Sequence, residues 1–182
     1  MIDFSIQNLI NAFVQKEDRF DPDHWHPSAI GGCLRGAFLS RKGVKPSIPF
    51  ETRTLRVFQA GKIFETFVRE IVQNEANKYG YSVLANHPIE IKDWNVKGET
   101  DIFLLKRENS EENLIYEIKT VHSNKFWWME KEKRGADEHH CEQTWLYMKA
   151  LEVKEGRTLY ISKDDLTLAE FPVKLDDEKL SQ

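Results

Sequence analysis

The stretch LIYEIKTV, Leu114–Val121, combines an apolar strand pattern with two charged residues at its centre. Its apolar and β-branched residues predict a buried β-strand. Glu117 and Lys119 are two residues apart, and residues at that spacing on a strand share one face. An exposed antiparallel strand shows the same alternation of polar and apolar residues. The stretch therefore predicts either a strand with one solvated face or a strand that carries a functional site.

Length and composition favour a single folded domain. The chain has 182 residues, of which 40% are hydrophobic and 31% are charged. A chain of this size forms one domain with its own core more readily than two. We therefore expect a single domain over residues 1–182, with an N-terminal helical extension over about residues 1–50.

Several features point to a location in the cytoplasm. The apolar runs are too short to span a membrane, and the N-terminal sequence lacks the basic and apolar regions of a secretory signal. The two cysteines, Cys33 and Cys141, provide no disulfide framework. A cytoplasmic protein with no membrane contact is the resulting expectation.

The net charge of −4 is not typical of a nucleic-acid-binding protein, which usually has a basic balance. A metal-dependent nuclease nevertheless collects acids at its site and keeps its basic residues in local patches. Such patches occur at Ser40–Lys45, at Arg53 with Arg56, and at Lys131–Arg134. A solvated surface is the ordinary explanation for a run of charges, so the patches alone leave DNA binding open.

Periodicity and breaker residues predict three helices, three strands, two helices and two strands, in that order. The helices are expected over 2–15, Ala29–Arg41 with Ser28 as N-cap, Thr54–Tyr79 closed by Gly80, 124–134 and 137–153. The strands are expected over 81–91, 96–107, 114–121 and, around a turn at 163–165, within 156–175. This order fits a mixed α/β domain with one central sheet flanked by helices.

A second acid is predicted to lie across a hairpin from Glu117. The polar stretch 108–113 reads as the turn, which pairs Asp101 with Lys119 and leaves it opposite or diagonal to Glu117 within a shift of a residue or two. Side chains so placed are within about 5–8 Å of each other. Two carboxylates on central strands repel and are costly to desolvate, and a divalent cation removes that cost. Oxygen ligands of this kind suit Mg²⁺ or Mn²⁺.

Two helices carry further polar residues at suggestive positions. Glu65 lies beside Phe64 at the edge of the apolar stripe of the long helix, and Gly61 leaves room for another element to approach. Gln143 and Tyr147 are four residues apart and so share a helix face. Their amide and phenol groups can bind a phosphate oxygen, a base edge or a carboxylate. A surface glutamate, a surface glutamine and a packed tyrosine would fit the same positions.

Taken together, these motifs resemble the PD-(D/E)XK nuclease superfamily, and more narrowly its RecB-type exonucleases and their CRISPR-associated relatives. That family carries Gly-x-x-x-His on a helix, Gly-x-x-Asp and (Asp/Glu)-x-Lys on successive strands, and Gln-x-x-x-Tyr on a following helix. In this chain the four motifs fall on Gly61–Glu65, Gly98–Asp101, Glu117–Lys119 and Gln143–Tyr147. The resemblance covers about residues 26–175. It implies a restriction-endonuclease-like core, in which helices flank a central mixed β-sheet.

The sequence departs from the family pattern at two places. Glu65 stands where the RecB-type enzymes mostly have histidine, although the lambda exonuclease type uses an acid from this helix. The CRISPR-associated relatives hold a [4Fe–4S] cluster with one upstream cysteine and three near the C-terminus. This chain has Cys33 within an upstream Ser-x-Ile-x-x-Cys-x-Arg motif but no cysteine after Cys141. Such a cluster needs four thiolates, so we expect no iron–sulfur cluster and a small, buried Cys33.

The resemblance implies metal-dependent hydrolysis of phosphodiester bonds by an exonuclease that acts on DNA ends or single strands. Recombination, phage DNA processing and CRISPR spacer handling are the settings that it suggests. The implied catalytic residues are Glu65, Asp101, Glu117 and Lys119, with the three acids and the carbonyl of Ile118 as ligands of Mg²⁺ or Mn²⁺. The implied DNA-binding residues are Gln143, Tyr147, Arg35 and Lys42 of the basic loop 41–45.

Aromatic and imidazole side chains near these motifs are open to two interpretations. Trp127 and Trp128 point about 100° apart on a helix, so we expect one to join the core and Trp128 to be available for stacking on a DNA base. Packing alone is the other reading of the pair. His139 and His140 precede Gln143 by about one turn, and we expect them to face solvent, with metal binding as the alternative.

Two other functions remain open from the sequence. One is a structure-specific or restriction-like endonuclease of the same superfamily. The other is a non-catalytic DNA-binding or assembly subunit, whose expected sign is the loss of Asp101 or Lys119; both are present. A small nuclease has little DNA-binding surface, so a protein partner or a homo-oligomer is also possible.

Overall fold

The computed structural model of the chain describes residues 5–15, 23–131, 135–176 and 178. The helices are α1 (Ile6–Val14), α2 (Leu34–Arg41), α3 (Thr52–Glu75), α4 (Ser123–Lys131) and α5 (Glu138–Leu151). The strands are β1 (Tyr81–Ile91), β2 (Val96–Lys106), β3 (Leu114–Val121), β4 (Glu155–Ser162) and β5 (Leu168–Val173). Short 3₁₀ turns lie at Pro27–Ala29, Ala76–Tyr79, Lys92–Trp94 and Ser110–Glu112.

The five strands form one mixed sheet in the order β1-β2-β3-β4-β5. All neighbouring strands are antiparallel except β3 and β4, which are parallel. A parallel pair needs a crossover connection, and α4 and α5 supply it. The predicted fold class is therefore confirmed: a mixed α/β domain with a central mixed sheet flanked by helices.

Helices pack on both faces of the sheet, because the central strands carry apolar residues on both sides. On one face, Phe64, Val68 and Val72 of α3 pack against Ile102, Leu104, Leu114 and Ile118. On the other face, Trp145, Tyr147 and Met148 of α5 pack with Phe103 and Ile115. Side chains alternate between the two faces along each strand. Asp101, Glu117 and Lys119 accordingly lie on the α5 face.

The second helix begins five residues later than the sequence predicts. Pro27–Ala29 is a 3₁₀ turn, and Gly31 has a φ of +78°, in the left-handed region that glycine adopts without steric cost. This turn ends any helix that starts at Ser28, so α2 begins at Leu34 with Cys33 as its N-cap. No residue of α2 is buried, and Cys33 is itself exposed. The prediction of a buried Cys33 is therefore wrong.

The β2–β3 hairpin is shifted by two residues from the predicted register. Ile102 pairs with Tyr116 and Leu104 pairs with Leu114. In this register Asp101 is opposite Glu117, whereas the sequence predicted that it would be opposite Lys119. The shift arises in the loop, because the backbone N–H of Lys106 donates to the side chain of Asn113 at 2.9 Å. That bond takes the place of a ladder bond, and the 3₁₀ turn follows it.

No helix among the described residues is both long and apolar enough to cross a membrane.

Candidate active site

Strands β2 and β3 stop pairing at the centre of the sheet. Their last ladder pair is Ile102 with Tyr116, although both strands continue beyond it. Past that pair, Oδ2 of Asp101 accepts a hydrogen bond from the backbone N–H of Ile118 at 2.7 Å. We call this region, formed by Asp101, Glu117 and Ile118, the fork. The ladder pairs of β2 and β3 therefore end next to the acids.

The remaining side chains on the α5 face form a chain of polar contacts that ends at the fork. Nζ of Lys119 lies 2.5 Å from Oε1 of Glu117 and donates to Oε1 of Gln143 at 2.9 Å. Nε2 of Gln143 in turn donates to the phenol oxygen of Tyr147 at 2.9 Å. Gln143 and Tyr147 are both buried. They are therefore part of the polar interior, and not the surface residues that their positions alone allowed.

The two acids of the fork are electrostatically strained. Burial raises the pKa of Asp101 well above its usual range, and repulsion from Glu117 adds to the rise. The hydrogen bond from Ile118 opposes it only in part. Glu117 is 2% exposed, and burial likewise raises its pKa despite the favourable charge of Lys119. Both carboxylates thus lack sufficient positive charge around them.

The third predicted acid approaches the same region from the opposite layer. Glu65 lies on α3, with its side chain 31% exposed and 3.8 Å from Nη1 of Arg69. Its charge contributes to raising the pKa values of both Asp101 and Glu117. The structure therefore brings the three predicted acids into one electrostatic cluster.

Gly61 explains how α3 comes so close to the sheet. A Cβ at this position would lie 3.2 Å from Oγ1 of Thr120 on β3, which is tighter than an ordinary packing contact. A larger residue there would push the helix away from the strand, and Glu65 lies one turn further along the same helix.

The donor set of the fork fits a hard divalent cation. Oε2 of Glu117 is buried and has no hydrogen-bond partner among the described residues. A buried, unpaired carboxylate oxygen is costly, and a cation would satisfy it. The carbonyl of Ile118 points to the same strand edge as its N–H, toward the fork, because both groups of one residue face one neighbour. Carboxylate and carbonyl oxygens are the ligands that Mg²⁺ and Mn²⁺ prefer.

In this structure, protein donors contact one oxygen of each acid of the fork. Within the described part of the chain, no three His, Cys, Asp or Glu side chains converge on one point as metal ligands do. Oε1 of Glu117 is occupied by Lys119, and Oδ2 of Asp101 by the N–H of Ile118. The fork therefore matches a cation in the chemistry of its oxygen atoms, and the roles of these residues as ligands stay predictions.

Two of the predicted DNA-binding residues, Arg35 and Lys42, lie at the surface on and next to α2. Arg35 is exposed on α2, and Lys42 caps the same helix, with Nζ 5.7 Å from the ring centre of Phe38. The neighbouring Arg41 stacks on the ring of Trp25 at 4.6 Å. These contacts hold basic groups at the surface, and DNA binding by Arg35 and Lys42 stays a prediction.

The prediction that one of the paired tryptophans joins the core is wrong. Trp127 and Trp128 are each 51% exposed, and their rings meet edge to face with centres 5.7 Å apart. The core-facing positions of α4 are instead Phe126 and Met129, three residues apart on one side of the helix. Trp128 is thus half exposed at the surface, and its stacking on a base stays a prediction.

A further polar pair was missed from the sequence. Nδ1 of His140 lies 2.6 Å from the phenol oxygen of Tyr160, and the His140 side chain is only 16% exposed. The expectation that His140 faces solvent is therefore wrong. Its spacing of three residues from Gln143 and seven from Tyr147 was the available signal, since such residues share one helix face.

Comparison with known proteins finds solved structures that share this fold. No protein-family model and no curated protein matches the sequence. Among solved structures, the chain is similar to a protein named SSO0001, with a TM-score of 0.63 and 16% identity over 96% of this chain and 81% of that one.

An alkaline exonuclease, LHK-Exo from Laribacter hongkongensis, is a second structural neighbour. It matches with a TM-score of 0.59 and 13% identity over 87% of this chain and 81% of its own. Its complex with dAMP matches with a TM-score of 0.60 and 13% identity over 96% and 85%. At these identities the comparisons establish a shared fold.

Proposed function

We propose that this chain is a metal-dependent deoxyribonuclease, and specifically an exonuclease that hydrolyses phosphodiester bonds at DNA ends or in single strands. One observation carries the proposal: Glu117 is buried beside Asp101 where the β2–β3 ladder has ended, with one oxygen on Lys119 and the other without a hydrogen-bond partner among the described residues. Such an arrangement is costly for a fold that gains nothing from it. The fold shared with an exonuclease of known structure supports the same conclusion.

Asp101, Glu117, Glu65 and the carbonyl of Ile118 would hold Mg²⁺ or Mn²⁺ at the fork. Such a cation, when bound, lowers the pKa of a water molecule and stabilises negative charge on a phosphate. The acids contribute the negative charge that selects a divalent cation. Burial and mutual repulsion raise the pKa values of Asp101 and Glu117, and the charge of a bound cation would oppose that rise.

Lys119 would balance charge on the scissile phosphate. Its ammonium group has three N–H donors, and Glu117 and Gln143 occupy two of them. Among the described residues the third N–H has no partner, so it would orient a water molecule or contact a phosphate oxygen, in a site where charge interactions are strong. Gln143 fixes the position of Lys119, and Tyr147 fixes the orientation of the Gln143 amide through its own hydrogen bond.

The exposed basic and aromatic residues would bind the rest of the DNA. Arg35 and Lys42 supply positive charge for phosphates that flank the cleaved bond. Trp128, half exposed on α4, would stack on an unpaired base. A RecB-type or CRISPR-related setting belongs to the same proposal.

The test is digestion of linear DNA labelled at the 5′ or 3′ end, single- or double-stranded, in Mg²⁺, Mn²⁺ or EDTA. A closed circular single strand of the same length distinguishes an exonuclease, which leaves it intact. We expect cleavage only with metal, and loss of cleavage in Asp101→Ala and Lys119→Ala. Lys154→Ala is the matched control, because Lys154 forms an exposed ion pair with Glu111. Metal-independent cleavage, or full activity in either site variant, would overturn the proposal.

A further inference from the structure

Tyr160 is the neighbour of Lys119 in the sheet. In the parallel register of β3 and β4, Lys119 pairs with Tyr160, and paired residues on adjacent strands direct their side chains to the same face. Tyr160 is fully buried, and its phenol oxygen contacts Nδ1 of His140 at 2.6 Å. His140 therefore contacts the residue that lies next to Lys119 in the sheet.

Helix α5 makes one polar contact with each of these two neighbouring residues, Lys119 and Tyr160. Gln143 accepts a hydrogen bond from Lys119, and His140, one turn earlier on the same helix face, contacts Tyr160. Lys119 and Tyr160 are side by side, so the two contacts from α5 also lie side by side. His140 consequently belongs to the surroundings of Lys119, whose charge acts on the imidazole.

The hydrogen bonds define which nitrogen of His140 carries a hydrogen. The phenol oxygen of Tyr160 accepts a bond from the backbone N–H of Asp137 at 3.1 Å, so its own O–H is directed to Nδ1 of His140. Burial, helped by the charge of Lys119, lowers the pKa of His140 to about 4, although Asp137 opposes this shift. In a neutral imidazole that accepts at Nδ1, the hydrogen is on Nε2.

Nε2 of His140 has no hydrogen-bond partner in the described part of the chain. It is also absent from the buried unpaired atoms there, which include Nδ1 of the adjacent His139. The Nε2–H group therefore remains accessible as a donor. It is uncharged, so it adds no repulsion to the nearby ammonium of Lys119.

We propose that His140 is a further substrate-binding residue of this site, whose Nε2–H donates to a phosphate oxygen of the DNA strand bound at Lys119. The inference rests on the proposed function, since it assumes that DNA occupies the fork. Tyr160 holds the imidazole through Nδ1, which leaves the Nε2–H group as the donor for that phosphate. The ligand recognised is the nucleic-acid phosphate and not a base.

Two substitutions separate this role from a structural one, because each replaces a different ring nitrogen. His140→Asn places a polar atom near the position of Nδ1 and preserves the contact with Tyr160, but it lacks the distal N–H. His140→Gln reaches the position of Nε2 with an amide N–H and loses the contact with Tyr160. The readouts are the Kd for a fluorescein-labelled single-stranded oligonucleotide by anisotropy in Ca²⁺ and in EDTA, and kcat and KM in Mg²⁺.

We expect His140→Asn to raise Kd and KM about tenfold, the usual effect of losing a hydrogen bond to a charged group. We expect His140→Gln to stay within about twofold of the unmodified chain, and kcat to change little in either variant. The reverse order, with the asparagine variant near normal and the glutamine variant weak, would mean that His140 only anchors α5. That result, or unchanged affinity in both variants, overturns the proposal.

A measurement on the unmodified chain covers the case in which either variant fails to fold. Proton–nitrogen NMR of the ¹⁵N-labelled imidazoles is expected to show His140 protonated at Nε2, with this signal shifting when the oligonucleotide binds. A signal that does not move on saturation overturns the proposal.

Measuring DNA binding and DNA cleavage separately distinguishes failure of this inference from failure of the proposed function. A chain that binds the oligonucleotide but never cuts DNA overturns the proposed function alone. Active enzyme with normal affinity in His140→Asn overturns the role of His140 alone, and absence of any DNA binding overturns both.

Discussion

The carboxylate of Asp101 and the backbone N–H of Ile118 are joined by a hydrogen bond of 2.7 Å across two central strands. This bond stands where the β2–β3 ladder would otherwise continue beyond Ile102 and Tyr116. The same side chain therefore serves the sheet and the acid cluster. Its two roles can be separated by substitution.

Asp101→Asn is expected to stabilise the metal-free protein and to abolish cleavage. Asparagine keeps an oxygen that accepts from Ile118 but removes a buried charge that Glu117 repels. Asp101→Ala leaves the amide unpaired and should cost about 1–3 kcal/mol. Thermal unfolding in EDTA, repeated with Mg²⁺ or Mn²⁺, gives the comparison. The metal should raise the melting temperature of the unmodified chain more than that of either variant, and a destabilised Asp101→Asn in EDTA would contradict this account.

Lys119 and Glu117 are expected to show strong coupling in a double-mutant cycle. Lys119→Met leaves the buried Glu117 carboxylate without its partner, a loss of about 3–5 kcal/mol for a buried pair. Adding Glu117→Gln removes the stranded charge, so the double variant should recover much of that stability while remaining inactive. Urea unfolding of all four proteins measures the coupling.

The exposed pair Lys154–Glu111 is the matched control for this cycle. Its coupling should stay below about 1 kcal/mol, as expected for an ion pair at the surface. Simple additivity of the Lys119 and Glu117 substitutions would show that the close contact between them contributes nothing to stability.

Gly156→Ala is expected to reduce both stability and kcat, although the residue is outside the site. A Cβ there would lie 2.7 Å from Sδ of Met148 and from Cγ2 of Thr144, both on α5. The Thr144 side chain is β-branched and cannot turn away easily, so the helix itself must shift. Overpacking of this kind costs about 1–3 kcal/mol. The shift would displace Gln143 and thereby Lys119.

Gly36→Ala provides the comparison for this substitution. A Cβ at Gly36 meets nothing closer than Cβ of Cys33 at 3.7 Å, and the position lies within α2. It should stabilise the chain slightly through helix propensity and leave the rate unchanged. Equal rates for the two variants would show that the distance between α5 and the sheet does not control the site.

The imidazole of His140 is expected to titrate near pH 4 instead of 6.5. Because its pKa is lower in the folded chain, the unfolded chain binds more protons between those values. The stability that His140 contributes is thus present above about pH 6.5 and is lost as the pH falls toward 4. The charged and titratable groups that act on it are Lys119, Asp137, Lys125 and His139.

NMR of the ring and urea unfolding at several pH values check this titration. The difference in stability between the unmodified chain and His140→Gln should shrink between pH 6.5 and 4.5. A ring that titrates near 6.5 would mean that the imidazole is not desolvated.

Local patterns were sufficient to predict most elements of the fold. The strands β1 and β3 coincide with the predicted stretches 81–91 and 114–121, because each is rich in strand-forming residues and is bounded by turn residues. The acids of the fork were also predictable, since a carboxylate within a buried strand conflicts with its surroundings. Glu65 lies on a helix and was predicted to join them only through the family resemblance, and its charge acts on both acids.

The differences arise where a contact distant in sequence decides the local structure. The hairpin register depends on the side chain of Asn113 replacing a backbone acceptor, which strand periodicity does not encode. The start of α2 depends on the left-handed backbone of Gly31. The partnership of His140 with Tyr160 requires the parallel pairing of β3 and β4, which is set by a crossover of two helices.

Because the N–H of Ile118 donates to Asp101, the exchange rate of this amide hydrogen reports on the acid cluster. Amide hydrogens bonded between strands exchange with deuterium when the sheet opens, but that of Ile118 is covered by a side chain that can rotate. Its exchange rate therefore follows the engagement of one carboxylate, independently of the unfolding of its neighbours. A single backbone position thus reports on the state of the fork without a substrate or a turnover.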